Sequence, residues 1–174
     1  MADIQTDFVP GDPRIAYDHL GMGDVVLFLH GIGGNRTNWR DQLPAFAERF
    51  HAVAWDARGY GLSDDYSGPL NFGDFATDIL RLLDQLSVRT AHIVGLSMGG
   101  LIALGFNARS KEGVKTLTLS GASASFAQKV REERGEFVPL CKKPYLEEDK
   151  EPGDTAPIVA RTLMSARSTE VHFQ

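Results

Sequence analysis

The stretch Ala91-His92-Ile93-Val94-Gly95-Leu96-Ser97-Met98-Gly99-Gly100-Leu101 decides how this chain is read. An apolar run, Ala91 to Val94, leads into Gly-x-Ser-x-Gly, and a segment of helical character, Leu101 to Arg109, leads out of it. The strand–turn–helix context gives the pentapeptide its meaning. A serine at the tip of such a turn is forced into a strained backbone conformation, so that its hydroxyl stands clear of the sheet. The turn also brings together the residues two before and two after the serine, where only small side chains fit, and both are glycine, Gly95 and Gly99. Gly100 leaves room for the helix to pack closely on the strand. A glycine-rich loop with an incidental serine would contain the same five residues, but the remainder of the chain favours a nucleophile at Ser97.

Working back towards the N-terminus, Val25-Val26-Leu27-Phe28-Leu29 is apolar without alternation, as a strand buried on both faces should be. It runs into the glycine-rich loop His30-Gly31-Ile32-Gly33-Gly34-Asn35. Trp39, Leu43, Phe46, Ala47 and Phe50 then fall on one helical face. Ala52 to Trp55 forms the next strand, and Asp56 to Asp64 a loop. A second amphipathic helix opens near Asn71, a suitable N-cap, with Asp74 in the first turn. Its apolar face is Phe72, Phe75, Ala76, Ile79, Leu82, Leu83 and Leu86. Ahead of all this, Phe8 to Tyr17 carries the turn cluster Pro10-Gly11-Asp12-Pro13 and reads as an edge hairpin.

Beyond the Ser97 helix, Val114, Leu117 and Leu119 mark one more strand, closed by Ser120-Gly121. Strand and helix alternate at least three times, which predicts a parallel sheet with right-handed crossovers. In such a sheet the site lies beyond the carboxyl ends of the strands, where the loops at His30, Asp56 and Ser97 all begin. After Ala122 the character changes. Residues 123–135 read as helix, and Pro139, Pro144, Pro152 and Pro157 interrupt the chain beyond it. Ile158, Val159, Leu163 and Met164 suggest a last helix capped by Asp154. No strand pattern lies past residue 120.

A chain of 174 residues is long enough to bury a core, and 43% hydrophobic with 24% charged residues is ordinary for a globular protein. The net charge of −5 and the absence of a Lys/Arg block argue against nucleic acid as the main partner. A single cysteine, Cys141, can form neither an internal disulfide nor a cysteine metal site and fits a reducing compartment. The start, Met1-Ala2-Asp3-Ile4-Gln5, lacks a secretory h-region, and no apolar run reaches membrane-spanning length. A cytoplasmic protein with no membrane partner is the expectation.

Three blocks in order resemble the N-terminal portion of an α/β-hydrolase: His30-Gly31-Ile32-Gly33-Gly34, Asp56-x-Arg58-Gly59-x-Gly61-x-Ser63-Asp64, and Gly95-x-Ser97-x-Gly99-Gly100. The resemblance covers about residues 5–122 and, within the superfamily, is closer to esterases and 3-oxoadipate enol-lactonase-type enzymes. It implies a three-layer α/β sandwich with a mostly parallel sheet, its core in residues 1–122 and a helical lid segment in 123–174. It also implies that Ser97 attacks an acyl carbonyl, with the backbone N–H groups of Met98 and Ile32 as oxyanion donors. A small ester or lactone is the implied substrate, with no metal or organic cofactor; a carbon–carbon bond hydrolase or a non-catalytic binding protein on the same scaffold are the alternatives. By the same resemblance His30 braces the oxyanion loop rather than serving as base. Asp56, Arg58 and Asp64 are expected to pin the rim loop, and His92 to be a satisfied core residue. Serine in the nucleophile slot separates the chain from dehalogenases and epoxide hydrolases of this fold, which carry aspartate there.

One part of the pattern is missing. The triad of this fold runs Ser, then Asp or Glu, then His, yet the sole histidine after Ser97 is His172. Asp149 or Asp154 with His172 would make a local triad, but neither acid sits at a strand end that would hold it near Ser97. The chain therefore reads as C-terminally incomplete. The edge formed by residues 114–120 is expected to be open, with a second chain or an oligomer as a means of completing the sheet.

Overall fold

A computed structural model describes residues 3–122 of the chain. Six strands form one sheet in the order β1-β2-β4-β3-β5-β6. They are β1 (Gln5–Val9), β2 (Ile15–Leu20), β3 (Val25–Leu29), β4 (His51–Trp55), β5 (Ala91–Leu96) and β6 (Val114–Ser120). β1/β2 and β2/β4 are antiparallel, whereas β4/β3, β3/β5 and β5/β6 are parallel. The expected hairpin around Pro10–Pro13 is therefore β1–β2, the sheet is mostly parallel, and its centre is the fully buried β3.

Helices cover both faces. On one side, α2 (Phe72–Gln85) and α3 (Met98–Arg109) pack over Val25, Leu27, Leu29, Val53, Trp55 and Ile93. On the other, Leu43 of α1 (Gln42–Ala47) joins Val26, Phe28, Ala52 and Ala54. Alternate residues of β3 and β4 thus feed opposite cores, which is why both strands read as continuous apolar runs. The expected three-layer α/β architecture is present.

α2 begins where the sequence signals it. Asn71 caps the helix through Gly73 N–H (2.8 Å), and Asp74 returns the bond to Asn71 N–H (2.9 Å), a capping box. Phe75, Ala76, Ile79, Leu82 and Leu83 are buried, each large aliphatic contributing about 1.5–3 kcal/mol. Phe72, assigned to the same face, remains 38% exposed at the first turn. The single helix expected across 39–50 is instead a 3-10 turn (Arg36–Trp39) followed by the short α1. Pro44 lies in the first turn of α1, where its missing N–H costs no helical bond.

Candidate active site

The site is built at the end of β5. Ser97 has φ 52° and ψ −111°, a positive φ for a residue with a Cβ, worth about 1–3 kcal/mol of strain. Its N–H donates to the Ser120 carbonyl of β6 (2.8 Å), and its own carbonyl accepts from Gly100 and Leu101 (3.0 and 3.2 Å). Bonds on both sides of the residue hold the unfavourable conformation. The glycines are needed for space: a Cβ at Gly95 would lie 2.6 Å from the Gly99 carbonyl oxygen, and one at Gly99 would run into Leu29 and His30 of the neighbouring strand end. A Cβ at Gly100 would strike Ala122. Ser97 itself is half-buried, with no hydrogen-bond partner for its hydroxyl among the described residues.

The loop after β3 passes directly over this serine. A Cβ at Gly31 would be 3.4 Å from Ser97 Cβ, so a larger residue would crowd that side chain. Gly31 to Gly34 is a tight turn closed by Gly34 N–H to the Gly31 carbonyl (3.1 Å), with Gly33 supplying the positive φ of 73°. The Gly31 carbonyl also lies 2.8 Å from His30 Nδ1. A trans peptide points its N–H opposite to its C=O, so two donors holding the Gly31 oxygen fix the direction of the Ile32 N–H. Among the described residues that N–H has no acceptor, and neither does the N–H of Met98, the first residue of α3. Unpaired N–H groups at a helix start carry the positive end of the helix dipole.

His30 is fully buried, and its Nε2 accepts the Ala57 N–H (3.1 Å). With Nε2 an acceptor, the ring proton sits on Nδ1 and is given to Gly31. Burial pushes its pKa down, outweighing the opposing influence of the Gly31 bond and the Asp56 charge. A neutral His30 thus ties the loop after β3 to the loop after β4.

Asp56, Arg58 and Asp64 pin the rim, as expected. Asp56, fully buried, accepts from Arg36 N–H (2.6 Å), Arg36 Nη1 (2.7 Å) and Leu62 N–H (2.7 Å). Arg36 Nε reaches the buried Asp18 (2.8 Å). Burial works against the charge of Arg36, but Asp18 and Asp56 more than offset it and its pKa rises. Arg58 forms a two-pronged pair with Asp78 of α2 (2.7 and 2.9 Å), and Asp64 meets Arg14 at the exposed rim (3.3 Å). Arg36 and Tyr60 carry no signal in the sequence. Tyr60 packs its ring at a tilt against His30 (ring centroids 5.0 Å apart, planes at 60°), and its hydroxyl approaches Met98 Sδ at 3.7 Å. Their partners lie on other elements, so only the tertiary structure reveals them.

The other histidines lie away from Ser97. His92 is half-buried rather than in the core, because β6 beside it is a largely exposed edge; its Nδ1 meets Thr116 Oγ1 at 2.8 Å. His19 is in β2 and His51 opens β4. Asp149, Asp154, Cys141, His172 and the whole 123–174 segment lie outside the described residues. Among the described residues no group of three or more His, Cys, Asp or Glu could hold a metal, and no helix is long and apolar enough to cross a membrane.

Residues 24–169 match the family model described as alpha/beta hydrolase fold. The chain belongs to this family. Among curated α/β-hydrolase relatives it is 34% identical over 109 residues to the putative carbamate hydrolase RutD of Azorhizobium caulinodans, covering 63% of this chain and 41% of that protein. It is 33% identical over 92 residues to 3-oxoadipate enol-lactonase 2 of Acinetobacter baylyi, covering 52% of this chain and 34% of that one. The solved α/β-hydrolase structure of E-2-(acetamidomethylene)succinate hydrolase superimposes with a TM-score of 0.63 at 28% identity, over 66% of this chain and 43% of that one. The chain thus spans less than half the length of each. By name these relatives are a putative hydrolase, a lactonase and a hydrolase, and what this chain shares with them is the alpha/beta hydrolase fold.

Proposed function

We propose that this chain carries the nucleophilic part of a serine hydrolase acting on a carboxylic ester or lactone. The observation behind the proposal is the Ser97 elbow: a strained, half-buried serine beneath Gly31, with the unpaired N–H groups of Ile32 and Met98 on the two segments that meet there.

In this reading the Ser97 oxygen adds to the acyl carbonyl carbon, and its proton passes to a base. The carbonyl oxygen becomes an oxyanion that accepts from Ile32 and Met98 N–H, each donor contributing about 3–4 kcal/mol to the transition state. Collapse breaks the carbon–oxygen bond to the leaving alkoxide, which takes up the proton; in a lactone this opens the ring. Water then attacks the acyl-enzyme, releasing the acid and restoring the Ser97 hydroxyl. These steps call for no metal or organic cofactor. His30 is unsuited as the base, since its proton is given to Gly31 and its lone pair to Ala57 N–H. We assign the base and its acid to chain outside the described residues, and the cover of the β6 edge to the same source or to a second polypeptide. The enol-lactonase relative supports a lactone or ester carbonyl, and the carbamate hydrolase relative an acyl carbon flanked by a heteroatom.

Stopped-flow hydrolysis of p-nitrophenyl acetate and of five- and six-membered lactones by the full-length protein tests this. A burst of nitrophenol, lost in Ser97→Ala, is expected; hydrolysis at an unchanged rate in Ser97→Ala would remove the proposal.

A further inference from the structure

At the end of the sheet opposite Ser97, three polar side chains from three adjacent strands form a chain of contacts. His19 of β2 is paired with Val53 of β4, which puts His51, two residues earlier, diagonally beside it on the same face. His19 Nδ1 lies 3.1 Å from His51 Nε2, with the rings near edge-on at 71°. The other nitrogen of His19, Nε2, lies 3.0 Å from Asp7 Oδ2 of β1. Tyr17, paired with Asp7 across the strands, lines the same face with its ring 5.5 Å from that of His19.

The proton positions are set by chemistry. A carboxylate only accepts, so His19 holds its proton on Nε2 for Asp7 and presents a lone pair at Nδ1. In the metal-free pair, His51 fills that lone pair with its Nε2 proton. When the His51 proton shifts to its Nδ1, the Nε2 lone pair is freed, and two neutral imidazole nitrogens face a common point that a cation fills. Tetrahedral zinc with Zn–N bonds of about 2.0–2.1 Å holds two nitrogens about 3.4 Å apart, close to the 3.1 Å found. A carboxylate on the far nitrogen of a ligating histidine is the usual outer arrangement, fixing the tautomer and raising ligand basicity. The His19 side chain is 19% and Asp7 60% exposed, so solvent reaches the cluster.

We propose that His19 and His51 form a binding site for a divalent transition-metal ion of the zinc class, oriented by Asp7 and completed by water. Imidazole donors suit zinc, nickel and copper, not magnesium or calcium. With no third protein ligand converging among the described residues, the affinity is modest and the ion staples β2 to β4. The site takes no part in chemistry at Ser97 and stands independently of the proposed hydrolysis.

The test is isothermal titration of the full chain with zinc chloride, then with magnesium chloride, with circular dichroism to confirm that each variant is folded. One zinc per chain and no magnesium binding are expected. Binding should weaken at least tenfold in His19→Gln and in His51→Gln, and about 10–100-fold in the exposed-site variant Asp7→Asn. It should be unchanged in Cys141→Ser and His172→Ala. Absence of zinc binding up to millimolar concentration would overturn the proposal, as would zinc binding that survives His51→Gln or disappears in the Cys141 and His172 variants.

Discussion

Ser97 concentrates the cost of the site in one residue. Its φ of 52° is unfavourable for any side chain with a Cβ, and the bonds to Ser120, Gly100 and Leu101 keep it there. Relief of that strain should show directly: Ser97→Gly is expected to stabilise the fold by about 1 kcal/mol over Ser97→Ala, in which the strain persists. Urea unfolding of the two variants measures the difference, and an Ala variant at least as stable as the Gly variant would refute the strain. His30 gives a second expectation at this scale. Its folded pKa lies below its unfolded value of about 6.5, so the unfolded chain binds more protons between the two. The stability it contributes is complete above about pH 6.5 and is lost as pH falls through the folded pKa. His51, also shifted down, acts in the same direction. Unfolding free energy measured from about pH 7.5 to 5 should therefore fall, and in His30→Asn it should fall less steeply. Equal slopes in the two proteins would exclude a neutral, buried His30.

Among the elements, the loop after β4 is held from several directions. Asp56 alone takes three bonds, two of them from Arg36. Removing it leaves Arg36 with a buried charge and only Asp18 beside it, so Asp56→Ala should cost about 3–5 kcal/mol. Asp64→Ala breaks a pair whose partners are 50% and 48% exposed, and should cost no more than about 1 kcal/mol. Denaturant melts of the two variants compare them; similar losses would show that the buried network does not govern the rim. The glycines, Asp56 and the Asn71 capping box were readable because each meets a local requirement: a cramped turn, a loop motif, a helix start. Arg36 and Tyr60 were not, because the groups they touch lie tens of residues away in the chain. The split of the 39–50 helix and the exposure of Phe72 share one cause. Periodicity marks a possible face, but only the neighbouring elements decide how far that face is covered.

The molecule as a whole places three sequence blocks on one rim because β3, β4 and β5 are parallel neighbours, in the order β4-β3-β5. This arrangement was legible from the alternation of strand and helix. The order of the strands was not, since register and adjacency depend on crossovers rather than on any local pattern. The bond from Ser97 to Ser120 links the elbow to β6, so the strand at the edge also steadies Ser97. In the proposed reading, the strained turn, the glycine clearances and the two amide donors all serve a single event, the reaction of the Ser97 hydroxyl. A fluorophosphonate probe applied to the full-length protein, with the adduct mapped by peptide mass spectrometry, reads that event. One adduct is expected, on the peptide containing Ser97 and absent from Ser97→Ala; no adduct at Ser97, or labelling that persists elsewhere in the Ala variant, would contradict a nucleophilic role.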